Sequence, residues 1–216
     1  MDKTIETSLG RIHAHVEGSG PAILLAHGYH PENTWAVWEN NVSALAGAGF
    51  TVYALDLIGY GESGGAQLDH EQQARALLEL MDVERIDSAV VGGVSWGGLV
   101  ALQVALTAPE RVARLILVDS AGAGQMPEER LEKIDCPTLV VWGEDDSVIP
   151  VVNAAWFGAV LPNAQVEVIP DVTEQEGVPP WAGHHPMRFK PEAFNRIAVD
   201  FLRSGTARQA GAKGSG

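Results

Sequence analysis

The chain contains 216 residues, of which 46% are hydrophobic and 19% are charged. This balance excludes disordered, collagen-like and coiled-coil proteins and is typical of a globular fold. Fourteen Lys and Arg residues against 28 Asp and Glu residues give a formal net charge of −14. Such an acidic chain repels nucleic-acid phosphates and anionic membrane surfaces, so we expect neither a nucleic acid nor a membrane as a partner.

The chain length fits one domain, which we expect to comprise residues 1–204. Residues 205–216 are rich in Gly and Ala without an apolar stripe, which predicts a disordered tail or a cloning remnant. Residues 1–11 lack the apolar core of a signal peptide. The lone Cys136 cannot form an internal disulfide, which favours a reducing compartment. We therefore expect a cytoplasmic protein that is a monomer or a homodimer.

Five short runs are continuously apolar, a pattern typical of parallel strands that are buried on both faces. They are residues 22–26, 51–55, 89–94, 115–118 and 138–142. Residues 12–16, followed by a Gly-Ser-Gly turn at 18–20, predict an antiparallel hairpin with the next strand at the sheet edge. Residues 166–169 predict a last strand, for a sheet of about eight strands.

Apolar residues recur with helical period in three segments, which we expect to pack on the sheet. They lie within residues 38–46, 74–81 and 194–202. Residues 99–108 are apolar on nearly every side, which predicts a central helix that is covered on more than one face. The alternation of strands and helices predicts a three-layer α/β fold, a mostly parallel sheet with helices on both faces. Reactive groups of such folds gather at the carboxyl ends of the parallel strands.

One sharp turn joins the strand at 89–94 to the central helix, with the sequence Gly93-Val94-Ser95-Trp96-Gly97. The residues two before and two after the serine must lack side chains so that strand and helix can approach each other. Such a turn presents Ser95 as a nucleophile. A serine hydroxyl is a weak nucleophile at neutral pH, so it needs an imidazole to take its proton and a carboxylate to orient that imidazole.

Both partners occur after strands that end at the same edge of the predicted sheet. The loop after the fifth apolar run contains three carboxylates, Glu144, Asp145 and Asp146. After the last strand, His184 and His185 precede the final helix. We expect one of the carboxylates to orient one of the imidazoles beside the serine.

An acyl-transfer reaction also needs hydrogen-bond donors for the developing oxyanion. The backbone N–H of Trp96 lies at the start of the central helix, where the helix dipole adds to its effect. The backbone N–H of Tyr29, in the loop after the first apolar run, is the second candidate. The side chains that we expect to line the substrate pocket are His30, Trp35 and Trp181.

The motifs along the ordered chain resemble, in order, those of the α/β-hydrolase superfamily. The matching segments are His27-Gly28, residues 56–63 in the form D-x-x-G-x-G-x-S, the turn at 93–97, the acid loop at 143–146, and Gly183-His184 with the helix start at 191–194. The resemblance implies that Asp146 is the orienting acid and His184 the base. Asp145 and His185 remain the alternatives, because adjacent residues cannot be told apart without geometry.

The chain departs from that superfamily in two segments. Most members carry a helical cap between the sixth strand and the acid-bearing strand, whereas only residues 121–134 stand there in this chain. We expect this vestigial cap segment to make one short helix, at 127–133, and to leave the active site open. The enlarged loop at 171–182 precedes the base and forms either a wall of the site or a solvent-facing surface.

Two other patterns suggest ligands, and we expect neither to be a site. Residues 59–64 match G-x-G-x-x-G, but no helix opens at Gly64, which disfavours dinucleotide binding. His13 and His15 alternate on the predicted edge strand, where side chains are usually solvated, and further ligand spacings are absent. We therefore expect no cofactor and no metal.

Within the superfamily that the motifs resemble, Ser95 disfavours dehalogenase and epoxide hydrolase chemistry, which forms an ester through a carboxylate. We expect a serine hydrolase that cleaves carboxylic esters of small, accessible substrates through an acyl-enzyme. A carbon–carbon bond hydrolase of the meta-cleavage type, a thioesterase or a cofactor-free perhydrolase would use the same triad. A ligand-binding relative without turnover is the alternative from a different class.

Overall fold

The computed structural model of the protein describes residues 1–174 and 177–204. In these ranges eight strands form one sheet: β1 (Asp2–Thr7), β2 (Gly10–Gly18), β3 (Ala22–Ala26), β4 (Thr51–Asp56), β5 (Ala89–Val94), β6 (Val112–Val118), β7 (Thr138–Gly143) and β8 (Ala164–Ile169). Their order in the sheet is β1-β2-β4-β3-β5-β6-β7-β8. The pairs β1–β2 and β2–β4 are antiparallel and the others are parallel, which confirms the predicted mostly parallel sheet.

Helices cover both faces of this sheet. The α-helices of the described ranges are α1 (Glu39–Gly47), α2 (His70–Val83), α3 (Trp96–Thr107), α4 (Glu128–Leu131), α5 (Val152–Val160), α6 (Pro186–Phe189) and α7 (Pro191–Arg203). Successive residues of a strand face opposite sides, and along β6 Leu117 belongs to one buried cluster while Ile116 and Val118 belong to another. The first cluster includes residues of α2, α3 and α5, and the second includes residues of α1 and α7. The three predicted layers are thereby confirmed.

The helix starts follow from local chemistry. The side chain of Asp69 accepts a hydrogen bond from the backbone N–H of Gln72 at 2.8 Å, and the Gln72 side chain in turn accepts from the Asp69 N–H at 3.1 Å. This capping box satisfies N–H groups that the first turn of α2 leaves without partners. Pro191 is the first residue of α7, a position where its missing N–H costs nothing.

The predicted hairpin between residues 12–16 and the next strand is wrong. Strand β2 does run antiparallel to its neighbours, but these are β1 and β4, while β3 pairs with β4 and β5 in the middle of the sheet. The turn instead packs on the loop before β4, because a Cβ at Gly18 or Gly20 would lie 2.2 Å from a backbone oxygen of that loop. The sequence does not predict β1, because a strand with Ile5 as its one buried residue shows no apolar pattern.

The connection from β6 to β7 contains little structure above the sheet. Within residues 121–134 the only helix is the four-residue α4. No helix in the described part of the chain has both the length and the apolar character that crossing a membrane requires. The predicted tail at 205–216 lies outside the described residues.

Candidate active site

The turn that carries Ser95 connects β5 directly to α3. Ser95 has a φ of 56° and a ψ of −122°, a backbone conformation that costs a non-glycine residue about 1–3 kcal/mol. A Cβ at Gly93 would lie 2.2 Å from the carbonyl carbon of Gly97, and one at Gly97 would lie 2.5 Å from the carbonyl oxygens of Ala26 and His27. Both glycines are therefore required for strand and helix to meet, and the strained serine is held at the carboxyl end of the sheet.

His184 and Asp146 form a buried pair at the same end of the sheet. Nδ1 of His184 lies 2.7 Å from Oδ2 of Asp146, and the two residues are 5% and 7% exposed. Oδ1 of Asp146 accepts hydrogen bonds from the backbone N–H groups of Val148, at 2.7 Å, and Ile149, at 3.0 Å. A carboxylate with both oxygens engaged holds the imidazole ring in place. Because Nδ1 donates to the acid, Nε2 is the nitrogen that can accept a proton.

The neighbouring residues make different contacts. The carboxylate of Asp145 accepts hydrogen bonds from the backbone N–H of Thr173, at 2.6 Å, and from the Thr173 hydroxyl. Nδ1 of His185 is buried and has no hydrogen-bond partner among the described residues. Burial lowers the pKa of His185 to about 4, with the nearby His184 and Arg188 adding to the shift, so His185 is neutral at pH 7. The geometry thus pairs Asp146 with His184, whereas Asp145 and His185 do not take part in this pair.

Backbone contact between two loops brings this pair together. A Cβ at Gly143, the last residue of β7, would lie 2.0 Å from the carbonyl oxygen of Gly183. A Cβ at Gly183 would lie 2.5 Å from the carbonyl oxygen of Asp145. The acid loop and the histidine loop can approach this closely only because both positions lack a side chain.

Asp119, which no sequence motif indicates, lies beside the pair. It follows β6, has a φ of 43° and is fully buried, and its Oδ1 accepts the backbone N–H of Gly143 at 2.9 Å. Ligand atoms of Asp119, Asp146 and His184 all lie within 4.8 Å of one another. Burial, then the charge of Asp146, raises the pKa of Asp119 well above its ordinary value. The sequence signal that could have indicated Asp119 is its position directly after a buried strand.

These three residues are also the cluster of potential metal ligands that the described ranges contain. However, Nδ1 of His184 and Oδ2 of Asp146 are already joined by a hydrogen bond, so they face each other rather than a shared centre. The raised pKa of Asp119 favours its uncharged form, which weakens its attraction for a cation. The arrangement therefore fits a hydrogen-bonded acid–imidazole pair.

A cavity of about 740 Å³ opens onto this end of the sheet. Its lining consists of Gly28, Tyr29, His30, Glu32, Asn33, Ser95, Val148, Trp181, His184, His185 and Arg188. Ser95 and His184 therefore face one space, together with the predicted pocket residues His30 and Trp181. The third predicted residue, Trp35, does not line it, because its ring stacks on the imidazole of His15 with the ring centroids 4.2 Å apart.

Side chains of the β3–α1 connection orient the peptide bond between Gly28 and Tyr29. The Gly28 carbonyl accepts hydrogen bonds from Nδ1 of His27, at 2.8 Å, and from Nδ2 of Asn33, at 3.0 Å. Nε2 of His27 accepts the backbone N–H of Leu57 at 3.1 Å, and burial lowers the pKa of His27, so its imidazole is neutral. In a trans peptide the N–H points opposite to the carbonyl, so these bonds also set the direction of the Tyr29 N–H.

The N–H of Trp96 is the first of α3 and has no carbonyl partner within the helix. The aromatic rings of Trp96 and Tyr29 meet edge to face, with their centroids 5.8 Å apart. The two predicted oxyanion donors therefore belong to residues that are in contact beside Ser95.

The expectation that His13 is solvated on an edge strand is wrong. Strand β2 lies inside the sheet, and His13 is only 4% exposed, with Nδ1 2.9 Å from Oδ2 of Asp56. Asp56 also accepts the backbone N–H groups of Trp35, at 2.6 Å, and Glu62, at 3.0 Å. The Asp56 carboxylate thus ties the loop at 56–63 to β2.

The G-x-G-x-x-G pattern at residues 59–64 does not lead directly into a helix. Helix α2 begins at His70, six residues after the pattern ends.

Comparison with known proteins identifies the family. Residues 21–134 match the model of the alpha/beta hydrolase fold family. Since this match spans more than half of the chain, the protein belongs to that family, and the relatives described below are named as hydrolases.

Among curated proteins, 2-hydroxy-6-oxo-6-phenylhexa-2,4-dienoate hydrolase from Burkholderia cepacia is 26% identical over 273 aligned positions, covering 90% of this chain and 92% of the relative. The alignment is longer than the chain, so that relative contains residues for which this chain has no counterpart. An enzyme from Comamonas testosteroni named 2-hydroxy-6-oxononadienedioate/2-hydroxy-6-oxononatrienedioate hydrolase matches with the same identity and coverage.

Solved structures share the whole architecture. A protein described as a predicted CIB-like hydrolase from Thermoplasma acidophilum superposes with a TM-score of 0.82 at 26% identity, covering 94% of this chain and 97% of that one. A carboxylesterase from Bacillus subtilis superposes with a TM-score of 0.80 at 20% identity, covering 95% and 92%, which shows a common fold.

The raised pKa of Asp119 predicts a distinct dependence of stability on pH. Unfolding releases the proton that the buried carboxyl holds, so this residue's contribution is present below the ordinary aspartate pKa of 3.8 and is lost as pH rises through the folded pKa. We expect the melting temperature of Asp119→Asn relative to the wild type to increase with pH above the ordinary aspartate pKa and to level off once the pH exceeds the raised folded pKa. Asp87→Asn, at an exposed aspartate, is the matched control and should track the wild type. Parallel curves for Asp119→Asn and the wild type would contradict a protonated Asp119.

Proposed function

We propose that the protein is a serine hydrolase that cleaves carboxylic esters of small, accessible substrates. Ser95 is the nucleophile, His184 the general base and Asp146 the residue that orients His184. The observation that carries this proposal is the buried 2.7 Å hydrogen bond between His184 and Asp146, beside the cavity onto which Ser95 opens. Membership of the alpha/beta hydrolase family supports the same chemistry.

In the proposed mechanism, Oγ of Ser95 attacks the ester carbonyl while Nε2 of His184 takes its proton. The alcohol leaves with that proton, and an acyl-enzyme remains. Water then attacks the acyl group, again giving its proton to His184, and the acid is released as the serine recovers its hydrogen. Asp146 holds the His184 ring so that Nε2 can exchange protons with Ser95 and with water. Its hydrogen bond to Nδ1 also stabilises the imidazolium that forms.

The developing oxyanion would be bound by the backbone N–H groups of Tyr29 and Trp96. Each such donor is worth about 3–4 kcal/mol of transition-state stabilisation, provided that it is aimed before the reaction begins. His27 and Asn33 orient the Tyr29 N–H by holding the Gly28 carbonyl. The Trp96 N–H is oriented by its position at the start of α3.

The scarcity of structure between β6 and β7 supports the preference for small, accessible esters. The segment at 121–134 adds only α4, so no helical layer of the described residues roofs the cavity from this connection. Trp181 of the loop at 171–182 and Val148, two residues after Asp146, line the cavity and are 45% and 57% exposed, forming part of its rim. An open rim of this kind gives weak discrimination among acyl chains.

Carbon–carbon bond hydrolysis is the second candidate, because the Burkholderia and Comamonas relatives carry that activity in their names. Both reactions would use Ser95, His184 and Asp146. A panel of esters and of 2-hydroxy-6-oxodienoates, assayed under one set of conditions, separates them by comparing kcat/KM. Preference for the esters supports our proposal, and preference for the dienoates replaces it with the second candidate.

Neighbouring histidines give a matched test of the proposed base. We expect His184→Ala to lose about 10³-fold or more in kcat for 4-nitrophenyl acetate, because Ser95 then has no proton acceptor. His185→Ala removes the same side chain one position away and should retain activity within about tenfold. If His184→Ala remains active while His185→Ala does not, the base is misassigned. A wild-type protein that turns over no ester refutes the esterase proposal itself.

The proposed oxyanion arrangement predicts a role for Asn33. Asn33→Ala removes one of the two bonds that hold the Gly28 carbonyl, so the Tyr29 N–H loses its fixed direction. We expect kcat for 4-nitrophenyl acetate to fall about ten- to 100-fold, with a smaller change in KM. Asn153→Ala is the control, because Asn153 bonds the Pro150 carbonyl in the same way but outside the cavity. Equal kinetics for the two variants would count against the arrangement.

A further inference from the structure

The cavity beside Ser95 contains one strongly basic side chain, which the proposed mechanism does not use. Arg188, four residues after His184 in the short helix α6, is the only Lys or Arg among the described residues that line the cavity. It occurs in a chain with a net charge of −14, where an isolated cation attracts anions against the overall field.

The backbone of Arg188 is anchored while its guanidinium has donors to spare. Its N–H donates to the carbonyl of His185 at 2.9 Å, and its carbonyl accepts Nδ2 of Asn40 at 3.1 Å. Within residues 1–174 and 177–204 no carboxylate lies within 4.0 Å of its guanidinium. The guanidinium lies 5.8 Å from the ring centroid of Phe189. A planar, exposed guanidinium that has no carboxylate partner among the described residues is available to an incoming anion.

Other charges around the cavity give the anion a direction. Glu32 also lines the cavity but makes no ion pair with Arg188, so an anionic group is attracted to the Arg188 side and repelled from the Glu32 side. Arg188 belongs to α6, which begins directly after His185, so it lines the cavity on the side that the histidine loop forms. Neutral His185 does not compete for the anion.

We propose that Arg188 binds a carboxylate carried by the substrate, so that the preferred substrates are esters with a free carboxylate on either the acyl or the alcohol part. This inference rests on the proposed esterase function and specifies its substrate class. The guanidinium offers two parallel N–H donors that match the two carboxylate oxygens. Such charge-assisted pairs favour a carboxylate over a neutral analogue of the same shape, because hydrogen bonds to an ionised acceptor are stronger than those to a neutral one.

The test compares matched esters in matched variants. One pair places the carboxylate on the alcohol part, 4-acetoxybenzoate against 4-acetoxybenzamide; the other places it on the acyl part, mono-4-nitrophenyl adipate against 4-nitrophenyl hexanoate. The preference is the ratio of kcat/KM for the anionic ester to that for the neutral one. We expect a preference for the anionic ester in at least one pair, a fall of about tenfold or more in Arg188→Gln, and partial retention in Arg188→Lys.

Arg196→Gln is the control for net charge. It removes an exposed arginine of α7 that does not line the cavity, and it should leave the preference unchanged. An equal loss in Arg188→Gln and Arg196→Gln would overturn the proposal, because it would assign the effect to the overall field. An unchanged preference in Arg188→Gln, or no preference in the wild type, would overturn it as well.

A binding measurement separates this inference from the proposed function. Calorimetric titration with 4-hydroxybenzoate and with adipate requires no turnover, and we expect binding of at least one to weaken about tenfold in Arg188→Gln but not in Arg196→Gln. Arg188-dependent binding without ester turnover would refute the esterase while supporting the carboxylate site. Ester turnover with carboxylate binding that is absent, or that ignores Arg188, would refute the site and leave the esterase standing.

Discussion

The hydrogen bond between His184 and Asp146 is the interaction on which the candidate site depends. A carboxylate that is removed from water needs donors, and Asp146 obtains them from two backbone N–H groups and one imidazole. In return the imidazole is held in one orientation, with Nε2 left to exchange protons. Replacement of either partner leaves a buried polar group unpaired, so the pair is a constraint on folding as well as on chemistry.

Glycines allow the loops that carry this pair to meet. Gly143 and Gly183 allow the acid loop and the histidine loop to touch through their backbones, and Gly93 and Gly97 do the same for the turn that carries Ser95. None of these four residues contributes a functional group. Each one removes a side chain that would hold the functional groups apart, and the energy stored in the Ser95 backbone is sustained by the buried strand and helix on either side.

The sequence predicts the central strands and the Ser95 turn well, because continuous apolar runs and glycine spacing report directly on burial and sharp bends. It fails where partners are distant along the chain. The neighbours of β2, the burial of His13 and the proximity of Asp119 to Asp146 all depend on which strands lie side by side. Trp35 was misplaced for the same reason, since its ring partner His15 belongs to a strand that local patterns assigned to the edge.

Labelling with a fluorophosphonate probe, followed by mass spectrometry of the digested protein, tests the central claim most directly. The probe reacts with a serine that an oriented imidazole activates by taking its proton. Labelling of Ser95 therefore reports whether the His184–Asp146 pair activates this serine. Our account predicts one labelled peptide, containing Ser95, and loss of the label in Ser95→Ala and in His184→Ala. A folded protein that remains unlabelled, or one labelled at another serine, would contradict the account.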